Sequence, residues 1–225
     1  MIVKGQERDE HIGFIRKVLG IVAAQMAVTF AMTLLASGTE LGETFFRKPI
    51  VTITAMIFML TSVIVLFCSK HARRTVPQNY IWLFIATLGE ATFVSSVAAE
   101  LTMTSVLTAI LATCLTTAGL FFAALYTASS VNRNQLIMNF LLGVVGAMVV
   151  QVILLLVMLF TWSVNDPALI FATSLIMILV VGVYIVFALL MIVIPEVTDK
   201  EDYILAALRL YLEIVRLFFY ILIVT

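Results

Sequence analysis

Long apolar runs alternate along the chain with short polar segments that hold most of its charges and prolines. Each run has at least the approximately 20 residues that a helix needs to cross the hydrocarbon core of a bilayer. The pattern therefore predicts seven membrane-spanning helices. They are placed at residues 15–36, 49–69, 80–99, 101–126, 136–162, 168–194 and 203–225.

Composition agrees with this pattern and fixes the class of protein. Hydrophobic residues make up 63% of the 225 positions and charged residues 12%, whereas soluble chains have about 45–50% and about 25%. We predict an all-α integral membrane protein, folded as one domain over 1–225 with a short N-terminal segment at 1–14. The tight turn at Glu100 predicts that the third and fourth helices pair as an antiparallel hairpin.

Basic residues lie mainly on one side of the predicted helices, which indicates their orientation. Nine of the 13 fall in the N-terminus and the second, fourth and sixth loops, while only Arg47 and Lys48 lie on the opposite side. We expect an N-terminus on the cytoplasmic or matrix side of an intracellular membrane: endoplasmic reticulum, Golgi or mitochondrial inner membrane. The nine are Lys4, Arg8, Arg16, Lys17, Lys70, Arg73, Arg74, Arg133 and Lys200.

The last helix carries three charges within an otherwise apolar run, Arg209, Glu213 and Arg216. Their spacing of four and three residues puts them in one stripe and suits intrahelical ion pairs. A charge in the middle of a membrane costs about 2.5–3.5 kcal/mol on insertion scales, so the stripe is expected to face protein, water or its own members. Glu90 is the candidate for a second carboxylate. A pH-sensitive polar pathway and a neutral structural network both fit this pattern.

Two polar loops have a simple and a more specific interpretation. The run from Arg73 to Tyr80 is typical of a basic loop that leads into a proline-started helix. Four carboxylates in the sixth loop could supply some oxygen ligands for calcium. This loop lacks the spacing and the turn glycine of an EF-hand, which favours a solvated acidic loop in which Thr198 or Asp199 caps the last helix. The four carboxylates belong to Glu196, Asp199, Glu201 and Asp202.

Catalytic chemistry is not predicted. The two histidines, His11 and His71, lie in loops without matching ligands, and no nucleophile elbow, Walker loop or dinucleotide glycine pattern occurs. Cys68 and Cys114 lie in apolar stretches without metal or redox spacing and are interpreted as buried packing thiols. We expect no enzyme, no cofactor, no metal site built from cysteine or histidine, and no nucleic-acid partner.

Three blocks of residues resemble the Bax inhibitor-1 family, also called TMBIM or lifeguard. The last helix, YILAALRLYLEIVRLFFYIL at 203–222, is similar to the family's last helix, which usually has Asn where Arg209 and Arg216 stand and Asp in place of Glu213. The other blocks follow in family order, and with the seven-helix plan the resemblance covers nearly the whole chain. They are Phe14 to Val18 with Gln25 and Thr29, and Arg74 to Pro77 with Asn79, Tyr80 and Glu90.

The resemblance implies six helices around a central seventh. It also implies a slow, pH-regulated calcium leak and a role in modulating cell death. The gate proposed for the family is a pair of aspartates, one on each of the last two helices, that share a proton. Because two close carboxylates cannot both ionise cheaply, such a pair is sensitive to pH.

This chain keeps half of the implied pair. Glu213 matches the acid of the last helix, but the family's other acid aligns with Ala188, and two arginines flank the surviving carboxylate. We therefore expect a locked ion-pair network. Two functions remain open: a calcium leak that regulates ion homeostasis and cell death, or a non-conducting accessory subunit of a larger membrane complex, for example in the mitochondrial inner membrane. Partners would be the lipid bilayer, possible other subunits and a possible calcium ion.

Overall fold

The computed structural model describes residues 2–130, 167–194 and 199–224, and every regular element in these ranges is helical. The fifth predicted helix, at 136–162, lies outside them, as do Arg133, Glu196 and Thr198. The elements are α1 (Ile2–Gly38), α2 (Glu40–Phe46), α3 (Pro49–Cys68), α4 (Lys70–Arg74), α5 (Gln78–Ala98), α6 (Met103–Ser130), α7 (Pro167–Val193), a 3₁₀ turn (Lys200–Asp202) and α8 (Tyr203–Val224). Helices α7 and α8 correspond to the sixth and seventh predicted spans.

Five of the described helices are long and apolar enough to cross a membrane: α1 from Glu10, α3, α5, α6 to Tyr126, and α7 from Phe171. The last helix, α8, has 22 residues, which is also a spanning length, but it carries the three charges of the stripe. The chain is therefore an all-helical integral membrane protein.

Helix α8 is central among the described helices, because it contacts α1, α4, α5, α6 and α7. Its buried residues recur at helical spacing on the side opposite the charged stripe; Ile204, Tyr211, Val215 and Phe218 have no exposed surface. The ring of Phe218 meets Phe30 of α1 edge-on, with the centroids 5.3 Å apart. Since lipid gives no hydrophobic drive for helices to associate, close packing of this kind holds the bundle together.

The structure extends one prediction and corrects two. Helix α1 begins at Ile2, ahead of the predicted start of the first span at residue 15; the apolar pattern could show only the part that lies in lipid. The turn at Glu100 is tight, but α5 packs on α1 and α3 whereas α6 packs on α7 and α8, so the predicted hairpin pairing is not formed. Both Cys68 and Cys114 are exposed, because they lie on helix faces that no described helix covers.

Helices α3 and α5 approach each other closely at Gly89. A Cβ atom added there would lie 2.8 Å from the carbonyl oxygen of Ala55 and 2.8 Å from Cβ of Met59. We predict that Gly89→Ala lowers the free energy of unfolding by about 1–3 kcal/mol, since a backbone atom cannot give way cheaply. Denaturant titration in detergent measures this change. Gly20→Ala is the matched control: it meets nothing within 4 Å and should be neutral or slightly stabilising. Equal midpoints for the two variants would contradict this account of the α3–α5 contact.

Candidate functional site

A cluster of ion pairs ties α4 to the start of α8. Arg73 binds both carboxylate oxygens of Asp202, at 2.9 and 3.1 Å, and Arg74 binds the same two oxygens at 2.9 and 3.2 Å. Arg74 also contacts Asp199 at 2.6 Å and Glu201 at 2.7 Å. We call these five residues the arginine clamp. Because each guanidinium forks onto carboxylates, the clamp fixes geometry as well as charge.

The clamp changes the interpretation of both loops. Three of the four acids in the sixth loop neutralise the basic loop after α3; Asp199 and Glu201 are exposed, as expected of a solvated acidic loop, whereas that prediction is wrong for Asp202, whose side chain is largely buried. Asp199 also caps the 3₁₀ turn before α8, where its side chain accepts a hydrogen bond from the backbone N–H of Glu201 at 3.2 Å. In the described ranges, no group of three or more His, Cys, Asp or Glu side chains is arranged to hold a metal ion.

Asp202 is the anchor of the clamp. The hydrogen bonds from Arg74, with those from Arg73, hold the pKa of the Asp202 carboxyl below its ordinary value of 3.8, although partial burial acts in the opposite direction. Its side chain is only 13% exposed and that of Arg73 only 11%. This carboxylate therefore stays ionised, and the clamp closed, well below neutral pH.

A cleft of about 750 Å³ leads from the clamp along α8. Its walls come from the end of α3 and from the second half of α7, two helices that are not packed against each other, and α8 forms its floor. Glu213 and Ala188 both line this cleft, together with Arg209. The structure thus brings Glu213 and Ala188, the position where the sequence predicts that a second acid is absent, to one cavity.

The charged stripe forms one ion pair rather than two. Arg216 Nη1 lies 3.2 Å from both oxygens of the half-buried Glu213. The expected pair between Arg209 and Glu213 is not formed; the guanidinium of Arg209 lies over the ring of Phe67, 5.3 Å from its centroid. Side chains on a helix lean towards its N-terminus, which carries Arg216 back to Glu213 and carries Arg209 away from it.

Glu90 lies on α5 and is half-buried. It interacts electrostatically with Arg216, but within the described part of the chain it forms no ion pair with either arginine of α8. Arg216 is thus the cation whose charge acts on both carboxylates inside the bundle, directly on Glu213 and at longer range on Glu90.

Comparison with known families now identifies the fold. The family profile described as "Inhibitor of apoptosis-promoting Bax1" matches residues 11–225. The chain belongs to the Bax inhibitor-1 family. The resemblance seen in the three sequence blocks is therefore confirmed at the level of the family. No curated protein matches the chain.

A second polar cluster lies inside this Bax inhibitor-1 bundle, and sequence reasoning missed it. Gln25 on α1 donates to Thr87 of α5 at 2.8 Å, and the Thr29 hydroxyl of α1 lies 2.9 Å from that of Tyr211 on α8. All four side chains are buried. Interhelical hydrogen bonds of this kind join membrane helices where no water competes. The four-residue spacing of Gln25 and Thr29 was a usable signal.

Proposed function

We propose that this Bax inhibitor-1 family member is a seven-helix membrane protein whose ion path is closed, and that it serves as a non-conducting structural or accessory subunit of a membrane assembly. One observation carries the proposal. Glu213 shares its cleft with Ala188, and the Glu213 carboxylate is bound by Arg216 at 3.2 Å.

The charges in the cleft support a closed path. A proton-sharing gate needs two carboxylates close enough to repel each other, whereas Ala188 has no ionisable group. The negative charge of Glu213 is neutralised by its ion pair with Arg216, and Arg209 adds a positive charge to the wall of the same cleft. A divalent cation that enters this part of the cleft would meet net positive charge, and such repulsion grows as the surroundings become less polar.

Orientation and location follow from charge in the same proposal. The basic excess in the N-terminus and the even-numbered loops places the clamp end on the cytoplasmic or matrix side. The clamp then closes the cleft at that face, because Arg73, Asp199 and Asp202 all line its rim. An intracellular membrane, including the mitochondrial inner membrane, fits this arrangement.

A calcium leak that regulates ion homeostasis and cell death is the second candidate. The specific observation in its favour is the cleft itself, since about 750 Å³ of space reaches a carboxylate within the last helix. Opening of the arginine clamp would connect Glu213 to the aqueous side.

Calcium release from proteoliposomes separates the two candidates. We expect wild-type protein to release calcium no faster than protein-free vesicles at neutral and acidic pH, and the native chain to migrate in one discrete assembly larger than its 24.9 kDa mass. Calcium release that requires the protein and disappears in the Glu213→Gln variant would contradict the closed-path proposal and support the leak. Arg16→Gln, an exposed charge change on α1, is the control for altered reconstitution.

A further inference from the structure

Among the residues that the structure describes, Arg209 is a cation without a carboxylate partner. It forms no ion pair and no hydrogen bond with them, and its guanidinium lies over the face of Phe67. It is exposed to the cleft, seven residues from the clamp residue Asp202. At 1.5 Å per residue this places it about 10 Å further along α8. An unmatched charge at that depth in a membrane protein is costly, so it marks a site for a counter-charge.

The other charged groups of the cleft are already matched. Arg73 and Asp202 bind each other, Asp199 binds Arg74, and Glu213 binds Arg216. The clamp contains three acids and two arginines. The extra negative charge lies at the solvent side of the clamp, because the side chain of Glu201 is 70% exposed. Further along the cleft, Glu213 is paired with Arg216, which leaves Arg209 as the lining charge without an ion pair among the described residues. A ligand for this region is therefore anionic.

The walls around Arg209 favour an amphiphile over a free ion. Phe67 on α3 lies under the guanidinium, Ala188 and Ile192 on α7 add apolar surface to the same cleft, and the volume of about 750 Å³ is within the usual range for small-molecule sites. Because α3 and α7 are not packed together, the cleft lies between two membrane helices. Positively charged pockets between such helices on the cytoplasmic or matrix side suit the headgroups of anionic lipids.

We propose that the cleft between α3 and α7 binds an anionic phospholipid, with its phosphate on Arg209 and its acyl chains along Phe67 and the α7 wall. The guanidinium fork suits a phosphate, because it can donate two parallel hydrogen bonds to it. The lipid phosphate supplies the negative charge that no described carboxylate provides to Arg209. The rest of the lipid fills the space beside Glu213. This inference stands apart from the question of conduction.

Lipid-dependent thermal stability of the purified full-length protein tests the proposal. The probes are phosphatidylglycerol, phosphatidylcholine with the same acyl chains, and inorganic phosphate. We expect phosphatidylglycerol to raise the melting temperature of wild type more than phosphatidylcholine does, with an apparent affinity that falls about ten-fold or more in Arg209→Gln. Arg209→Lys should retain part of the effect, and Arg16→Gln, an exposed arginine on α1, all of it.

Two further outcomes would overturn the proposal: equal stabilisation of wild type and Arg209→Gln by phosphatidylglycerol, or a response to inorganic phosphate as large as that to the lipid. Ala188→Leu covers the case in which Arg209→Gln does not fold. It narrows the cleft without changing a charge and is expected to weaken the lipid response as well; an unchanged response in this variant would place the lipid elsewhere.

Discussion

Replacement of Asp202 by Asn is expected to lower the free energy of unfolding by about 3 kcal/mol, because it leaves the buried Arg73 without the one carboxylate that binds it among the described residues. Arg73 is 9% exposed overall, so water cannot easily replace the lost partner. Arg74 would keep Asp199 and Glu201. Equilibrium unfolding in detergent measures the change, and selective loosening of α4 from α8 should appear as faster hydrogen exchange in residues 70–74.

Glu201→Gln is the matched control for the clamp. It also removes one carboxylate contact of Arg74, but its side chain is 70% exposed, and exposed ion pairs contribute only about 0.2–1 kcal/mol. A loss in Asp202→Asn no larger than that in Glu201→Gln would contradict the role of Asp202 as the anchor.

Asp202 also determines how the contribution of the clamp to stability depends on pH. Because the folded-state pKa of Asp202 lies below 3.8, its contribution to stability is present above the pKa of the unfolded chain and is lost only as the pH falls through the lower, folded value. The difference in stability between wild type and Asp202→Asn should therefore stay constant from neutral pH to about pH 4 and then shrink. A difference that shrinks already near pH 6 would contradict this assignment.

Glu213→Gln is expected to cost about 2–3 kcal/mol of stability, because Arg216, within a membrane-spanning helix, would lose the one carboxylate that binds it directly in the described part of the chain. A neutral amide can still accept a hydrogen bond, but it cannot balance the charge. Thermal melting and denaturant titration in detergent measure this loss.

The double variant Glu213→Gln/Arg216→Gln separates the ion pair from the packing of the two side chains. With both charges removed, we expect more than half of the lost stability to return. If the double variant is less stable than Glu213→Gln alone, the two residues do not act as a pair. Glu213→Asp offers a second comparison, since it keeps the charge that the family usually places here.

Among the described residues, the length of the apolar runs predicted the long membrane-spanning helices but not the helical segments outside the membrane. Pro49 and Pro167 begin α3 and α7 because proline is tolerated in the first helical turn, and these starts could be read directly. The N-terminal extension of α1 and the five residues of α4 have no such pattern. Whether α5 packs on α3 or on α6 depends on which helix faces meet. Gly89 indicates the α3–α5 contact only in the folded structure, where it lies beside Ala55 and Met59.

The candidate site was predicted where its residues are close in sequence. The pair Glu213–Arg216 follows from a spacing of three residues. Arg209 did not pair, because spacing alone ignores the lean of side chains along a helix. The clamp joins residues 129 apart, and the Thr29–Tyr211 hydrogen bond joins residues 182 apart. Contacts at such separations form only when the helices pack into a bundle. The sequence could therefore show that charged and polar residues are present, but not which of them meet.

Calcium flux through reconstituted protein tests the closed-path account most directly. The measurement compares wild type with a triple variant in which Ala188→Asp introduces a second carboxylate and Arg209→Asn and Arg216→Asn remove the flanking charges. We predict release at the level of protein-free vesicles for wild type and faster, pH-dependent release for the triple variant. Release by wild type above that level, abolished by Glu213→Gln, would contradict the account.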